Sequence, residues 1–428
     1  MAPMTRRTFT RWVGAAGTLS VLGTLGFPAT ARAAKGRVVV IGGGFGGATC
    51  AKYLRRLNPG LEVTLVERDT RFLTCPFSNA VLGGFRSLDS LTQHYDQLRK
   101  KHGVKIVHDT ATAIDATSRT VTLLKGTTLR YDRLVVSPGV DLKWNALPGY
   151  DEAASQIMPH AWKAGPQTTL LRQQLAAMPD GGVVIIVAPA DPFRCPPGPY
   201  ERASLMAHYL KTHKPKSKIL ILDAKERFSK QALFMNAWQE VYPQMIEWRA
   251  GTAGGKVLRV DPQTMTVETD LGAEHGAVIN VIPPQSAGQI ALQAGLANDK
   301  GWCPVDQTTF ESTIHKGIHV IGDACIAGKM PKSGFAANNQ AKICAAAIAT
   351  LLAGGTPAEP LLINTCYSLI SPDYGITIAG VYKPSSDGLV EVQGSGGVSP
   401  ANAPADFRKR EAEYAVGWYD SIMSDMFA

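Results

Sequence analysis

The chain has 428 residues, of which 45% are hydrophobic and 18% are charged, and it contains 42 glycines. This composition excludes a disordered or fibrous protein, and the length predicts two or three globular domains. The formal net charge of +9 falls to +5 when residues 1–33 and their four arginines are set aside, and so small an excess gives no indication of nucleic-acid binding.

The first 33 residues have the composition of an export signal. Arg6 and Arg7 precede a mostly apolar stretch at residues 12–27, and residues 31–33 (Ala-Arg-Ala) offer a small-residue cleavage site. This order resembles a twin-arginine signal, so we expect a periplasmic mature chain with no transmembrane segment. The alternative, an N-terminal membrane anchor, is disfavoured because the apolar stretch is interrupted and shorter than the ~20 residues that span a bilayer.

A dinucleotide-binding unit is predicted directly after the signal. Residues 37–41 and 61–66 are short apolar runs typical of buried parallel strands, and Glu67 follows the second. Between the two strands lies a helical pattern that begins with glycines in G-x-G-x-x-G spacing, namely Gly42, Gly44 and Gly47. Such glycines let a pyrophosphate approach the backbone at a helix N-terminus, and the acid binds ribose hydroxyls. The alternative is a glycine-rich structural turn.

Two later segments assign FAD to this first unit. Residues 131–139 resemble the strand and turn that return the chain to the FAD domain in flavoproteins with two dinucleotide domains. Residues 317–324 resemble the strand whose aspartate, here Asp323, binds the ribityl chain. A second strand-helix-strand unit lies between them at residues 183–223, but its turn is rich in proline. Prolines donate no N–H group to a pyrophosphate, so we expect no use of NAD(P)H.

These patterns predict an α/β fold with two Rossmann-like domains of the glutathione-reductase type and a small C-terminal α+β domain. We expect the following boundaries: a signal at 1–33, an FAD-binding domain at 34–148 and 301–355, a second Rossmann-like domain at 149–300, and a flavin-site or interface domain at 356–428. A closing helix is expected at about 404–426.

Seven cysteines in an exported chain leave at least one without a disulfide partner. Four of them show no spacing typical of a metal site, and we interpret them as structural: Cys50, Cys303, Cys325 and Cys344. The nine histidines form no metal-binding cluster either, so no metal is expected. Any chemistry therefore rests with the other three cysteines.

Four motifs make the chain resemble the flavoprotein subunit of flavocytochrome c sulfide dehydrogenase, a relative of the sulfide:quinone oxidoreductases. They are Thr-Cys-Pro at 74–76, Arg-Cys-Pro-Pro-Gly-Pro-Tyr-Glu at 194–201, Lys-Ser-Gly-Phe-Ala-Ala-Asn at 332–338 and Asn-Thr-Cys-Tyr-Ser at 364–368. The resemblance implies FAD attached through a thioether at Cys75, and a redox-active disulfide between Cys195 and Cys366. It also implies that Glu201 acts as a general acid or base.

Each of these roles has a plainer alternative. Cys75 would otherwise be a buried thiol, and Cys195 and Cys366 would be a structural bridge or two unrelated thiols. Glu201 would be a carboxylate that the positive end of a helix stabilises. Residue types and spacing leave these alternatives open.

The function that the resemblance implies is oxidation of sulfide to sulfur or polysulfide, because hydrosulfide can attack a disulfide as in thiol–disulfide exchange. The sequence contains no C-x-x-C-H motif, so haem c is expected only on a partner, a c-type cytochrome in a heterodimer. One rival is a sulfide:quinone oxidoreductase that reduces a membrane quinone. The other is a flavoprotein scaffold without catalysis.

Overall fold

The structure is a computed structural model that describes residues 35–428. The predicted export signal lies outside the described residues. Within residues 35–428, no helix has both the length and the apolar composition that a bilayer crossing requires.

Short strands and helices alternate along the described chain. The first part contains β1 (Gly36–Ile41), α1 (Phe45–Leu57), β2 (Leu61–Val66), β3 (Arg71–Leu73), α2 (Ser78–Gly83), β4 (Thr92–His94), α3 (Asp96–Lys100), β5 (Lys105–Val107), β6 (Ala111–Asp115), β7 (Thr120–Leu123), β8 (Thr128–Arg130), β9 (Arg133–Val136) and β10 (Val140–Leu142). The middle part contains α4 (Pro166–Ala177), β11 (Val183–Ala188), α5 (Gly198–His213), β12 (Lys218–Asp223), α6 (Gln231–Val241), β13 (Ile246–Arg249), β14 (Val257–Asp261), β15 (Thr266–Thr269), β16 (Gly272–His275), β17 (Val278–Val281), β18 (Gln285–Ala287) and α7 (Gln289–Gln293). The last part contains β19 (Ile318–Val320), α8 (Gly334–Leu352), β20 (Leu362–Ser371), β21 (Tyr374–Ser385), β22 (Gly388–Glu391), β23 (Gly397–Val398) and α9 (Ala405–Phe427).

A five-stranded parallel sheet, in the order β19, β9, β1, β2, β5, forms the first layer. Its central strand β1 pairs with β2 over its whole length, from Gly36 opposite Leu61 to Ile41 opposite Val66. Strand order reverses between β1 and β9, and ligands of open parallel sheets bind beyond the carboxyl ends of the strands at such a point. The glycine loop follows β1 there, so the prediction of a first strand-helix-strand unit is confirmed.

A second parallel sheet has the order β13, β12, β11, β17. β11 and β12 pair in register from Val183 opposite Lys218 to Ala188 opposite Asp223. The loop at residues 189–197 connects β11 to α5, whose first residue is Gly198. The second strand-helix-strand unit is therefore confirmed, with the proline-rich turn at the carboxyl end of its first strand. That this turn does not accept NAD(P)H stays a prediction.

The C-terminal region is an antiparallel sheet covered by a helix. β20, β21 and β22 are neighbours, β23 pairs with β21, and α9 packs on β20 and β21. The expected closing helix is confirmed within two residues at each end. Two of its charged residues, Arg408 and Glu411, form a buried ion pair of 3.2 Å, so the charge in this tail is partly internal.

The chain end is held against the first sheet's helices. Lys52 on α1 donates hydrogen bonds to the carbonyls of Asp425 at 2.8 Å and Ala428 at 2.7 Å, and Lys342 on α8 pairs with the Asp425 carboxylate at 2.9 Å. These contacts bring the C-terminal helix back to the glycine-loop helix. The α/β fold class is confirmed, whereas the domain boundaries stay predictions.

Candidate active site

A cavity of about 1150 Å³ lies at the carboxyl ends of β1, β2, β9 and β19, and it is closed by the start of α5 and by β20. All the site residues expected from the sequence line it except Gly47. The volume exceeds the range of roughly 300 to 1,000 Å³ that is usual for small-molecule sites. It is large enough for a dinucleotide.

The glycine loop after β1 has two positions that only glycine satisfies. Gly42 has a φ of +94°, and a Cβ there would lie 2.3 Å from the carbonyl oxygen of Ser137. A Cβ on Gly47 would lie 1.8 Å from the carbonyl oxygen of Gly42. Gly44, by contrast, meets only Phe72 at 3.4 Å, so protein contacts do not require it. It is the N-cap residue of α1 and lines the cavity, where a missing side chain leaves the helix N-terminus open to a phosphate.

Glu67 lies at the cavity wall after β2. Its Oε2 accepts a hydrogen bond from the Gly43 N–H at 2.6 Å, and its Oε1 accepts one from the Asp69 N–H at 3.0 Å. The carboxylate is thus oriented by the backbone of the glycine loop itself. The lone pairs that these bonds leave free are available to a ribose hydroxyl.

Three buried polar atoms on the cavity wall have no hydrogen-bond partner within residues 35–428: Oδ1 of Asp323 and the indole Nε1 of Trp162 and Trp418. Buried polar groups normally have a partner, so each indicates a group that the protein itself does not supply. Burial also raises the pKa of the Asp323 carboxyl, against Arg194 and Lys332, which lower it. An acceptor and two donors around a dinucleotide-sized cavity fit FAD.

Cys75 lies in the loop between β3 and α2, and its Sγ is 3.6 Å from the Trp162 carbonyl oxygen. The Thr74 hydroxyl shares a hydrogen bond of 2.8 Å with the Tyr419 hydroxyl of α9, and Phe77 packs on Tyr419 at 5.0 Å between ring centroids. The loop is therefore held on both sides of the cysteine. Its half-buried thiol faces the cavity, as an attachment point for FAD must.

Cys195 occupies a strained position at the end of the proline-rich turn. Its φ of +58° is unusual for a residue with a side chain. Its N–H donates to the Lys332 carbonyl at 2.8 Å, and its carbonyl accepts from the Gly198 N–H at 2.8 Å. A Cβ on Gly198 would lie 2.6 Å from the Trp162 ring and 3.1 Å from the Cys195 Sγ, so the glycine that begins α5 leaves room for both side chains.

Cys366 lies in the middle of β20, opposite Ile378, and lines the same cavity as Cys195. Burial raises the pKa of both thiols, and the nearby Cys366 raises the pKa of Cys195 further. The two cysteines thus come together from segments 171 residues apart in sequence. Both are free thiols in the structure, and the oxidised pair stays a prediction.

Glu201 lies in the first turn of α5 beside the two cysteines. Its Oε2 accepts a hydrogen bond from Asn79 Nδ2 at 2.8 Å, and its Oε1 accepts one from the Leu369 N–H at 2.9 Å. Burial raises the pKa of this carboxyl, and it in turn raises the pKa of both thiols. A carboxyl that holds its proton to higher pH beside a thiol pair is suited to general acid–base catalysis.

Arg202 is a buried cation that sequence reasoning missed. It is 2% exposed and donates four hydrogen bonds, to Asn79 Oδ1, Asn280 Oδ1 and the carbonyls of His160 and Ala161. Asn79 thus links this guanidinium to the carboxylate of Glu201. No sequence signal marks Arg202, because its partners come from three separate segments.

The other four cysteines, Cys50, Cys303, Cys325 and Cys344, are buried. Within the part of the chain that the structure describes, no group of histidine, cysteine and acidic side chains is arranged to hold a metal ion.

Comparison with family models matches three stretches of the chain. Residues 168–283 match the central part of the sulfide dehydrogenase [flavocytochrome c] flavoprotein chain, and residues 358–427 match the flavin-binding part of flavocytochrome c sulphide dehydrogenase. Residues 36–177 match the pyridine nucleotide-disulphide oxidoreductase family. Together these stretches include the glycine loop and all three cysteines of the cavity.

Individual relatives agree with the family models. A sulfide dehydrogenase [flavocytochrome c] flavoprotein chain of Chlorobaculum thiosulfatiphilum is 73% identical over 45 residues, which are 10% of this chain and 94% of that sequence. A sulfide-quinone reductase of Aquifex aeolicus is 34% identical over 172 residues, 40% of this chain and 38% of that one. The solved sulfide:quinone oxidoreductase of Aquifex aeolicus superposes with a TM-score of 0.67 at 19% identity, over 91% of this chain and 92% of that chain. At that identity the superposition shows the fold.

Proposed function

Because the chain belongs to the family of the flavocytochrome c sulfide dehydrogenase flavoprotein, a family of FAD-binding oxidoreductases, we propose that it oxidises sulfide through Cys195 and Cys366 and passes the electrons to a c-type cytochrome. The observation that carries this proposal is one cavity that holds the glycine loop, Cys75, Cys195 and Cys366. The product is sulfur or polysulfide. FAD, when bound, supplies a two-electron acceptor that can release electrons singly.

The protein's part in the reaction begins with Cys195 and Cys366 joined as a disulfide. Hydrosulfide attacks one sulfur, so a new S–S bond forms, the old S–S bond breaks, and the pair becomes one persulfide and one thiolate. Sulfide sulfur is thereby oxidised while the displaced cysteine sulfur is reduced. Atoms and charge balance, because the hydrosulfide brings one hydrogen and one negative charge and the displaced cysteine leaves as the anion.

Glu201 supplies the proton control for this exchange. Its carboxyl lies among groups that fix its position, Asn79 and the Leu369 N–H, while burial raises its pKa. In its protonated form it can donate to the displaced thiolate, and in its ionised form it can accept from hydrogen sulfide. The Asn79 bridge to Arg202 fixes the orientation of the carboxyl.

Cys75 is proposed as the covalent attachment point of FAD. The support is its half-buried thiol at the cavity wall and the anchoring of its loop by Thr74 and Tyr419. Attachment at Cys75 also accounts for the odd number of cysteines, because this thiol then has a bond other than a disulfide. Asp323 would bind the ribityl chain, and Glu67 the adenosine ribose.

We further propose that the mature chain is periplasmic after twin-arginine export, and that haem c resides on a partner subunit in a heterodimer. The support is the arginine pair at residues 6 and 7, the absence of C-x-x-C-H from the sequence, and the relative that is the flavoprotein chain of a flavocytochrome.

Anaerobic titration with sulfide tests the proposal. The purified chain with bound FAD should lose its visible flavin absorbance on sulfide addition and recover it when an oxidised c-type cytochrome is added. The variants C195S and C366S should each lose this bleaching, whereas C344S, which alters a buried cysteine away from the cavity lining, should retain it. A wild-type protein that sulfide leaves fully coloured would refute the proposal.

A membrane quinone as acceptor is the second candidate, favoured by the 34% identical relative that is a sulfide-quinone reductase. A short-chain quinone analogue added to the sulfide-reduced protein distinguishes the two. Reoxidation by cytochrome c faster than by the quinone supports the cytochrome acceptor, and the opposite order supports the quinone.

A further inference from the structure

Lys230 is a buried cation behind the cysteine pair. It immediately precedes α6 and is only 9% exposed. Its Nζ donates to the Ser368 hydroxyl at 2.7 Å and to the Cys366 carbonyl at 3.2 Å, and it lies 3.5 Å from the Ile376 carbonyl oxygen. All these acceptors are neutral. Within residues 35–428 its ammonium forms no ion pair with a carboxylate.

A buried ammonium without a counterion is costly, and proteins usually pair such a charge or place it where a negative charge forms. Lys225, whose side chain is mostly covered, follows the usual pattern and pairs with Asp223 at 2.6 Å. Lys230 departs from it. Lys230 is absent from the cavity lining, although Ser368, which accepts its hydrogen bond, lies two residues from Cys366 on the same face of β20.

The ionisable groups that Lys230 acts on are the two thiols and the carboxyl of Glu201. It lowers the pKa of Cys366, Cys195 and Glu201, although burial, the larger effect, raises all three. Arg194 also lowers the pKa of Cys195, and Glu201 raises the pKa of both thiols. For Cys366, Lys230 is the one cation among these charges, and it is hydrogen-bonded to the carbonyl of that same residue.

We propose that Lys230 is a positioning residue that stabilises the thiolate of Cys366 and thereby the reduced form of the cysteine pair. The inference rests on the proposed function, since a thiolate arises at this place only if the pair undergoes exchange. When hydrosulfide breaks the Cys195–Cys366 bond, the ammonium of Lys230 provides a positive charge next to the new thiolate of Cys366. The hydrogen bond to Ser368 holds the ammonium in place, and Ser368 lies on β20 only two residues from Cys366.

Alkylation of the reduced thiols tests this without relying on turnover. The full chain with bound flavin is reduced with a phosphine, freed of reductant, and treated with iodoacetamide over a pH series, and Cys366 alkylation is followed by peptide mass spectrometry. Only the thiolate reacts. Removing the charge in K230M should move the Cys366 profile to higher pH and slow its alkylation about tenfold near neutral pH. K230R should restore most of the rate.

The potential of the pair gives a second readout. At a pH above the pKa of the Cys366 thiol, where the reduced pair carries the thiolate, a tenfold loss of thiolate stabilisation should lower the reduction potential by about 30 mV for this two-electron couple. K230Q keeps a donor to Ser368 without the charge and carries the same test should K230M not fold. K211M is the matched control, because Lys211 also donates to a backbone carbonyl, that of Val241, but is exposed and faces neither cysteine.

Unchanged Cys366 alkylation and an unchanged potential in folded K230M and K230Q overturn the inference. If those variants show the shift while sulfide fails to bleach wild-type protein, the charge effect of Lys230 stands and the proposed substrate fails. If sulfide bleaches wild-type protein and the variants behave as wild type, the proposed function stands and the role of Lys230 fails.

Discussion

Replacing Arg202 with methionine should destabilise the protein strongly, because it would leave three buried acceptors without a donor and remove one of the two donors to the His160 carbonyl. The guanidinium gives hydrogen bonds of 2.6 to 3.1 Å to two amide oxygens and two carbonyls, and it is 2% exposed. Each bond to a charged group contributes about 1.5 to 3 kcal/mol. The cost of burying the cation offsets part of that sum, and burial lowers the pKa of Arg202 to about 10.

Removal of one partner from a buried charged network typically costs about 3 to 5 kcal/mol, which is a large share of a free energy of unfolding of roughly 5 to 15 kcal/mol. We therefore expect R202M to lower the free energy of unfolding by at least about 3 kcal/mol. Urea unfolding followed by tryptophan fluorescence and by flavin absorbance measures it.

R172M is the matched control for this prediction. Arg172 donates one hydrogen bond, to the Leu82 carbonyl at 3.1 Å, and stacks on Tyr209 at 3.8 Å from the ring centroid, with the side chain only half-buried. Its loss should cost no more than about 1.5 kcal/mol. If R202M lowers the free energy of unfolding by no more than R172M does, the acceptors of Arg202 find other partners and the network does not stabilise the site.

Three further outcomes are expected. Acid precipitation of the wild-type protein should give a yellow pellet, whereas the C75S variant should release its flavin to the supernatant. The C50S variant, which alters a buried cysteine outside the cavity, should keep its flavin in the pellet. Colour in the C75S pellet would rule out attachment at Cys75. Burial raises the pKa of Glu201, so if the protonated carboxyl is the proton donor, sulfide-driven bleaching should slow as the pH rises through that raised value. The E201Q variant should bleach slowly at every pH and lack this dependence. A pH profile in E201Q that matches wild type would exclude the role. The G47A variant should fail to fold or to bind FAD, because its Cβ would overlap the Gly42 carbonyl. The control G417A, in α9 with no atom within 4 Å of the added Cβ, should raise the free energy of unfolding by up to about 1 kcal/mol in thermal unfolding. A stable, yellow G47A protein would show that the loop can move.

Sequence alone located the elements whose pattern is local. The apolar run of β1, the glycine loop, Glu67 and the long closing helix were predicted within a residue or two, because strand and helix periodicity and turn residues act over short stretches. Family motifs also named Cys75, Cys195 and Cys366 in advance. They did so by resemblance, since nothing in the spacing of these cysteines brings them together.

The tertiary structure decided what surrounds those residues. Cys195 and Cys366 face one cavity because a turn after β11 and a strand near the C-terminus pack against each other, which no short-range pattern encodes. Arg408 and Glu411 are of residue types that are mostly exposed, yet packing on the C-terminal sheet buries them as a pair. Lys230 and Arg202 are ordinary basic residues in the sequence, and only burial, which removes water and leaves few partners, makes their charges matter to the site.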